Sequence, residues 1–253
     1  GIFNFKLLKK IDQFPEKKHF KDLIKDFSNF KEIKKNWLLA QDKINLNGEI
    51  NLLKTHQGNY NVENDNFTNK QNTLAIIYIV RDPRNLVKSI SNHYTLSIDE
   101  ALKFLITPKI IGNSRSWDKD PGGLLTLYGK WNDHYNSWTK SKENLLIIKY
   151  EDLIINPENE LSKIIEFLKR YLKFETTEQK NKKILETTTF KNLKKIEENG
   201  EFFENAKDKL TKNKVNFFHL GPENNWKDNL DKKIINEIEK NFYKEMTELG
   251  YIK

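Results

Sequence analysis

Apolar positions in this chain gather in short runs separated by long polar stretches. The most informative run covers residues 74–80, Leu-Ala-Ile-Ile-Tyr-Ile-Val, rich in β-branched and aromatic types. A run this short and this uniformly apolar reads as a buried strand. Arg81, Asp82 and Pro83 interrupt it, and Leu86, Val87, Ile90 and Tyr94 then recur at the spacing of one helix face. Pro83 suits the first turn of that helix, because its missing N–H would have no intrahelical partner there. The pattern is strand, turn, helix. In an open parallel sheet such a turn lies at the carboxyl end of the strand, where ligands bind and the helix start presents its backbone N–H groups. Arg81 at the strand end and Ser89 two helical turns later form a candidate anion-binding pair.

The same reading extends along the chain. Residues 2–40 carry apolar positions and lysines at helical period, broken at Pro15 and near Asn29, which predicts two or three amphipathic helices and no strand before them. Residues 50–56 read as the first strand, followed by a loop at Gly58. Ser97-Ile-Asp-Glu is a capping-box pattern opening a helix to Leu105. A loop with Gly112, Asn113, Pro121, Gly122 and Gly123 leads to a helix expected over 124–140, with Trp131, His134 and Trp138 on one face. Residues 144–150 supply a third strand, and Asn156-Pro157 opens a long amphipathic helix. Helices are expected near 181–185, after Thr189, and over 230–249. Strands alternating with helices predict an α/β layered sandwich.

Composition narrows the picture. A length of 253 residues with 37% hydrophobic and 32% charged residues fits one large α/β domain better than two small ones. The net charge of +8 favours anionic ligands, although scattered lysines read as solvated helix faces more readily than as a nucleic-acid patch. With no cysteine, disulfides and thiolate metal sites are impossible, and the chain fits a reducing compartment, taken here as the cytoplasm. No apolar run reaches the roughly 18 residues of a membrane span, and the first residues lack the form of a signal peptide.

Singly, each candidate residue has an ordinary structural explanation. A strand-end arginine is commonly half of an ion pair, a loop histidine is commonly solvated, and tryptophans at helical spacing commonly pack a core. Their order along the chain is more specific. Val80-Arg81-Asp82-Pro83-Arg84-Asn85-Leu86-Val87-Lys88-Ser89 resembles the 3′-phosphate motif of the sulfotransferases that use 3′-phosphoadenosine 5′-phosphosulfate (PAPS). Lys54-Thr55-His56 resembles that family's catalytic strand end. Gly129-Lys130-Trp131 with His134 and Trp138 is similar to its Gly-x-Trp-x-x-His-x-x-x-Trp helix. Tyr150-Glu151-Asp152 with Asn156-Pro157, and Thr188-Thr189-Phe190, are similar to the segments that approach the adenine. Phe218-His219-Leu220-Gly221 with Trp226-Lys227 is similar to its closing loop.

The resemblance implies a three-layer α/β sandwich with a central parallel sheet, of the P-loop-like sulfotransferase type. It implies sulfonate transfer from PAPS to an acceptor hydroxyl or amine, with 3′,5′-bisphosphoadenosine (PAP) as product and no metal. His56 would be the general base and Lys54 a nearby cation. Arg81 and Ser89 would hold the 3′-phosphate, with His219, Leu220 and Gly221 in the closing loop. Tyr150, Thr188 and Phe190 would frame the adenine. A small-molecule or saccharide acceptor is expected, and no nucleic-acid partner.

Two departures stand out. The family's phosphosulfate loop, Pro-Lys-x-Gly-Thr/Asn-Thr-Trp after a first strand, has no match, so the chain is expected to be an N-terminally incomplete single domain. His219-Leu220 also replaces the family's Arg-Lys, exchanging two permanent cations for one titratable and one apolar group. The family's dimer motif would begin at Lys227 and is not matched. Two alternatives stay open: a non-catalytic PAP- or nucleotide-binding module, and another P-loop transferase such as a nucleoside kinase, although no Gly-x-x-x-x-Gly-Lys-Ser/Thr pattern is present. The acceptor-lining segments are expected at 57–73, 106–123 and 198–216.

Overall fold

A computed structural model describes residues 11–112, 124–140, 144–202, 206–207 and 214–253. The order of elements is β1 (Asp12–Gln13), α1 (Lys17–Phe20), α2 (Phe30–Lys35), α3 (Trp37–Ile44), β2 (Leu53–Lys54), β3 (Asn61–Val62), β4 (Asp65–Asn66) and β5 (Ile76–Val80). There follow α4 (Pro83–Tyr94), α5 (Ile98–Ile106), β6 (Ile110–Ile111), β7 (Thr126–Leu127), α6 (Trp131–Thr139), β8 (Leu145–Lys149), α7 (Tyr150–Ile155) and α8 (Pro157–Lys169). The chain closes with α9 (Glu178–Thr187), α10 (Phe190–Glu198), β9 (Ala206–Lys207), β10 (Lys214–Val215), α11 (Trp226–Asn229) and α12 (Lys232–Glu248). The mixed α/β class expected from the sequence is present, and the described strands pair two at a time. Among the described residues no helix is long and apolar enough to cross a membrane.

Helix starts follow local chemistry. Asp82 caps α4 by accepting from the Arg84 N–H at 2.9 Å, with Pro83 at the first helical position. In α5 the expected capping box forms: Ser97 Oγ accepts from Glu100 N at 3.2 Å, and Glu100 Oε2 accepts from Ser97 N at 2.8 Å. Asn156 caps α8 in the same way through Asn159 N.

The described residues group into two compact units, one within Lys9–Tyr78 and Pro108–Leu146, the other within Ile79–Thr107 and Ile147–Lys253. The first has an aromatic core. Trp37, fully buried, meets Phe30 and Phe67 edge-on at 5.8 and 5.4 Å, and Phe67 meets Trp138 at 6.0 Å. Each such pair adds roughly 0.5–1.5 kcal/mol beyond the area it buries. In the second unit α4, α5 and α12 lie against one another, and Val87, Ala101, Ile238, Phe242 and Met246 on them are fully buried.

Four sequence expectations change. The strand expected over 74–80 as a buried element is Ile76–Val80, and it alternates, with Ile79 60% exposed and Val80 3%. It pairs with β8, and alternate residues on one face stay uncovered. The strand expected over 50–56 contracts to Leu53–Lys54. A strand does precede it, because β1 runs parallel to β2 with Asp12 opposite Leu53; so short a strand has no alternation of its own to reveal it. The helix expected over 124–140 begins only at Trp131, since Thr126–Leu127 pairs antiparallel with Ile110–Ile111. Gly129, at φ +68, turns the chain between strand and helix, and a Cβ there would lie 2.1 Å from the Tyr60 hydroxyl oxygen. Residues 2–10 of the expected N-terminal helices, and residues 113–123 and 203–213 of the expected acceptor-lining segments apart from the backbone of 206–207, lie outside the described residues.

Candidate functional site

The two arginines of the Val80–Ser89 stretch have different employment. Arg84 is buried and bonded to Asp82 through Nε and Nη2, to Glu239 Oε1 at 2.6 Å and to the Tyr251 carbonyl at 2.9 Å. Its guanidinium also lies 4.0 Å over the Trp226 ring. Glu151 joins this frame, accepting from Asp82 N at 3.0 Å and from the Tyr251 hydroxyl at 3.0 Å. These contacts make Arg84 part of the scaffold.

Arg81 has neutral partners instead. Its Nη1 donates to Ser89 Oγ at 3.2 Å and its Nη2 to the Gly221 carbonyl at 3.4 Å, with Cζ 4.3 Å over the Tyr150 ring. Among the described residues it pairs with no carboxylate, and its Nε is buried without a partner. A buried N–H of a permanent cation left unmatched is suited to an anion. Residues 81, 89, 150 and 221, expected together from sequence, therefore do meet in one unit.

The closing loop completes this cluster. Gly221 sits at φ +54, and a Cβ there would come within 2.2 Å of the Phe190 ring, so the loop packs on Phe190 only with glycine at this position. Phe190 also meets Phe218 edge-on at 6.0 Å. The Glu197 carboxylate, 1% exposed, accepts the backbone N–H of Phe217 at 2.7 Å and of Phe218 at 2.9 Å. His219 is exposed and Leu220 half-buried; of this trio it is Gly221 that meets Arg81. Thr188 is exposed, and its hydroxyl returns to the Ile184 carbonyl at the end of α9.

Sequence reasoning passed over Asn85 and Asn224. Asn85 Oδ1 accepts from Trp226 N at 2.8 Å, while Asn224, 5% exposed, donates from Nδ2 to Asn85 O at 2.9 Å and to Ser89 Oγ at 3.1 Å. Asn85 lay inside the quoted motif. Asn224 carried no signal until the loop was folded against α4.

In the other unit, His56 is exposed at the end of β2, its ring 6.1 Å from that of Tyr128 and nearly parallel to it. The fully buried Gln57 fixes the backbone beside it. Gln57 Oε1 accepts from Leu127 N at 2.6 Å, its carbonyl accepts from Trp138 Nε1 at 3.1 Å, and Gly58 N donates to the Leu127 carbonyl at 3.0 Å. Lys54 is exposed on β2. Of the α6 face, Trp131 and Trp138 are buried core residues.

His134 has a different place. Its Nε2 faces the His56 carbonyl at 3.3 Å and its Nδ1 faces the Tyr78 hydroxyl at 2.9 Å. Burial, above all, pushes its pKa down to about 4, so the ring is neutral at ordinary pH. A carbonyl only accepts, hence Nε2 carries the proton and Nδ1 accepts from Tyr78. Burial likewise lowers the Lys109 amine to about 8, and its charge adds to the field that keeps His134 neutral.

These features define a mixed α/β protein in which Arg81, held by neutral partners, ends a strand before a turn and helix, and in which His56 follows another strand. Comparison with known families gives the class its name. The sulfotransferase domain model matches residues 17–250, and the chain belongs to that family. Sulfotransferase 1A1 of Rattus norvegicus is 29% identical over 126 residues, 48% of this chain and 38% of that protein. The 3-beta-hydroxysteroid sulfotransferase of Cavia porcellus is 26% identical over 178 residues, 70% of this chain and 56% of that protein. The chain thus spans about half the length of these relatives, or less. Among solved structures, mouse sulfotransferase SULT7A1 complexed with PAP superposes with a TM-score of 0.53 at 22% identity, over 81% of this chain and 70% of that one. Retinol dehydratase in complex with androsterone and inactive cofactor PAP gives 0.51 at 18% identity, over 78% and 53%. The shared fold is that of the sulfotransferases.

Proposed function

We propose that this chain belongs to an enzyme that transfers a sulfonate group from PAPS to an acceptor hydroxyl or amine. The observation that carries the reading is Arg81: a cation with neutral partners, an unmatched Nε, and Ser89 beside it at the spacing of the family's 3′-phosphate motif. These groups fit a phosphate. Tyr150 and Phe190 flank the same cluster and hold the adenine. PAPS, when bound, supplies the sulfonate for in-line transfer. His56 removes the acceptor's proton as the acceptor attacks, a task suited to an imidazole near neutral pH. Lys54 steadies the negative charge that grows on the leaving side. The acceptor is a small molecule or saccharide; the hydroxysteroid in one relative's name is an example of the former. The two compact units are parts of one sulfotransferase domain, since the family match runs through both.

The test is thermal. PAP should raise the melting temperature, ATP with magnesium should not, and Arg81→Ala should abolish the PAP shift. A preference for ATP would overturn the reading. For catalysis, His56→Ala in the full-length protein should remove sulfonate transfer while leaving the PAP shift intact; undiminished turnover would exclude His56 as base.

A further inference from the structure

Asn224 is the best-defined polar group of the anion cluster that no motif assigns. It is 5% exposed, and its side chain reaches Asn85 and Ser89 of α4. Its orientation is forced. The Asn85 carbonyl can only accept, so the atom 2.9 Å from it must be the amide nitrogen, and the same nitrogen faces Ser89 Oγ at 3.1 Å. Among the described residues the amide oxygen is left buried without a partner. Leaving an acceptor unpaired costs the fold something that an apolar residue of this size would avoid.

The consequence falls on Ser89. A hydroxyl has two lone pairs and one proton. Arg81 Nη1 donates to Ser89 Oγ at 3.2 Å and Asn224 Nδ2 donates to it at 3.1 Å; neither nitrogen can accept. Both lone pairs are then engaged, and the serine has only its proton left to offer. Among the described residues the internal acceptor within reach is the Asn85 carbonyl, which is 3.5 Å away and already receives Asn224. That distance is too long for a good O–H···O bond.

We infer that Asn224 is a positioning residue that holds the Ser89 hydroxyl as a preorganised donor toward the ligand's 3′-phosphate. Resting on the proposed sulfotransferase reading, this goes beyond it by assigning to a loop asparagine part of the discrimination between a 3′-phosphorylated nucleotide and one without that phosphate. Preorganised donors bind anions better than donors that must turn on binding, because no competing hydrogen bond has to break.

The experiment measures nucleotide affinity by calorimetry, with PAP and adenosine 5′-phosphate as the two probes. The wild-type chain should prefer PAP strongly. Asn224→Leu should weaken PAP about tenfold and leave adenosine 5′-phosphate unchanged. Asn224→Asp, nearly isosteric, should weaken PAP further by adding a negative charge, and it serves as the readout should the leucine variant fail to fold. In a Ser89→Ala background the Asn224→Leu loss should shrink to within twofold, since its target is gone. Equal loss for both probes, or a full loss that persists without Ser89, would overturn the inference and reduce Asn224 to a structural residue. Absence of PAP binding by the wild-type chain would instead overturn the sulfotransferase reading itself.

Discussion

The Tyr78 hydroxyl stands 2.9 Å from Nδ1 of His134, while Nε2 of the same ring faces the His56 carbonyl at 3.3 Å. One neutral imidazole thus bridges a β5 side chain and the backbone of the candidate base. With its pKa lowered to about 4 from the usual 6.5, the folded chain refuses a proton that the unfolded chain takes up between those values. Stability therefore falls as pH drops from about 6.5 to about 4, and this group adds no slope outside that window. The urea midpoint of the wild-type chain should decline across it. His134→Gln, which keeps one donor and one acceptor, should decline less steeply, and an identical slope would show that other groups govern the acid limb.

Arg81 and Arg84 should separate cleanly. Arg84→Met leaves Asp82 buried beside its lost partner and should cost about 3–5 kcal/mol in urea unfolding, since an unpaired buried charge is severely penalised. Arg81→Ala removes no ion pair among the described residues and should cost about 1 kcal/mol or less without ligand, while abolishing the PAP-induced shift. Similar stability losses for the two variants would contradict the division of labour.

Glu197 grips the closing loop through two charge-assisted bonds to Phe217 and Phe218. Glu197→Gln offers one acceptor where the carboxylate offers two and turns an N–H₂ toward a backbone donor. A loss of about 1–3 kcal/mol in unfolding free energy is expected, with faster amide exchange at Phe217 and Phe218. Unchanged exchange at both would remove Glu197 as the anchor.

Gly221→Ala combines two faults: a positive φ of +54 and a Cβ 2.2 Å from the Phe190 ring. The backbone component alone should cost about 1–2 kcal/mol. Adding Phe190→Ala relieves the collision without relieving the φ, so the thermal stability of Gly221→Ala measured in that background should fall by the backbone part only. Full rescue would show that steric contact accounts for the whole effect.

Much of this was legible in the sequence where local chemistry suffices. Ser97 with Glu100, Pro83, and Asn156 with Pro157 each mark a helix start within three residues, and each formed as read, while the Asp82 cap at Arg84 N came only with the structure. Arg81 and Ser89, eight residues apart on a strand end and the following helix, face each other because helical geometry alone brings them there.

Tertiary structure decided the rest. Pairing of Asp12–Gln13 with Leu53–Lys54, and of Ile110–Ile111 with Thr126–Leu127, lies in hydrogen bonds between distant two-residue strands, which leave no periodic trace in either partner. The exposure of Ile79 depends on what covers the strand, and its apolar character is silent on that. Asn224 acquires its place only when residue 224 folds against residues 85 and 89, more than a hundred positions earlier. Sequence by itself determined the α/β pattern, the helix starts and the placing of Arg81 beside Ser89, because those follow from propensity and spacing within one or two turns. Which neutral groups surround Arg81, which proton His134 keeps and which way Ser89 points were settled by long-range packing, where burial and the one-way chemistry of carbonyls and amides leave a single arrangement.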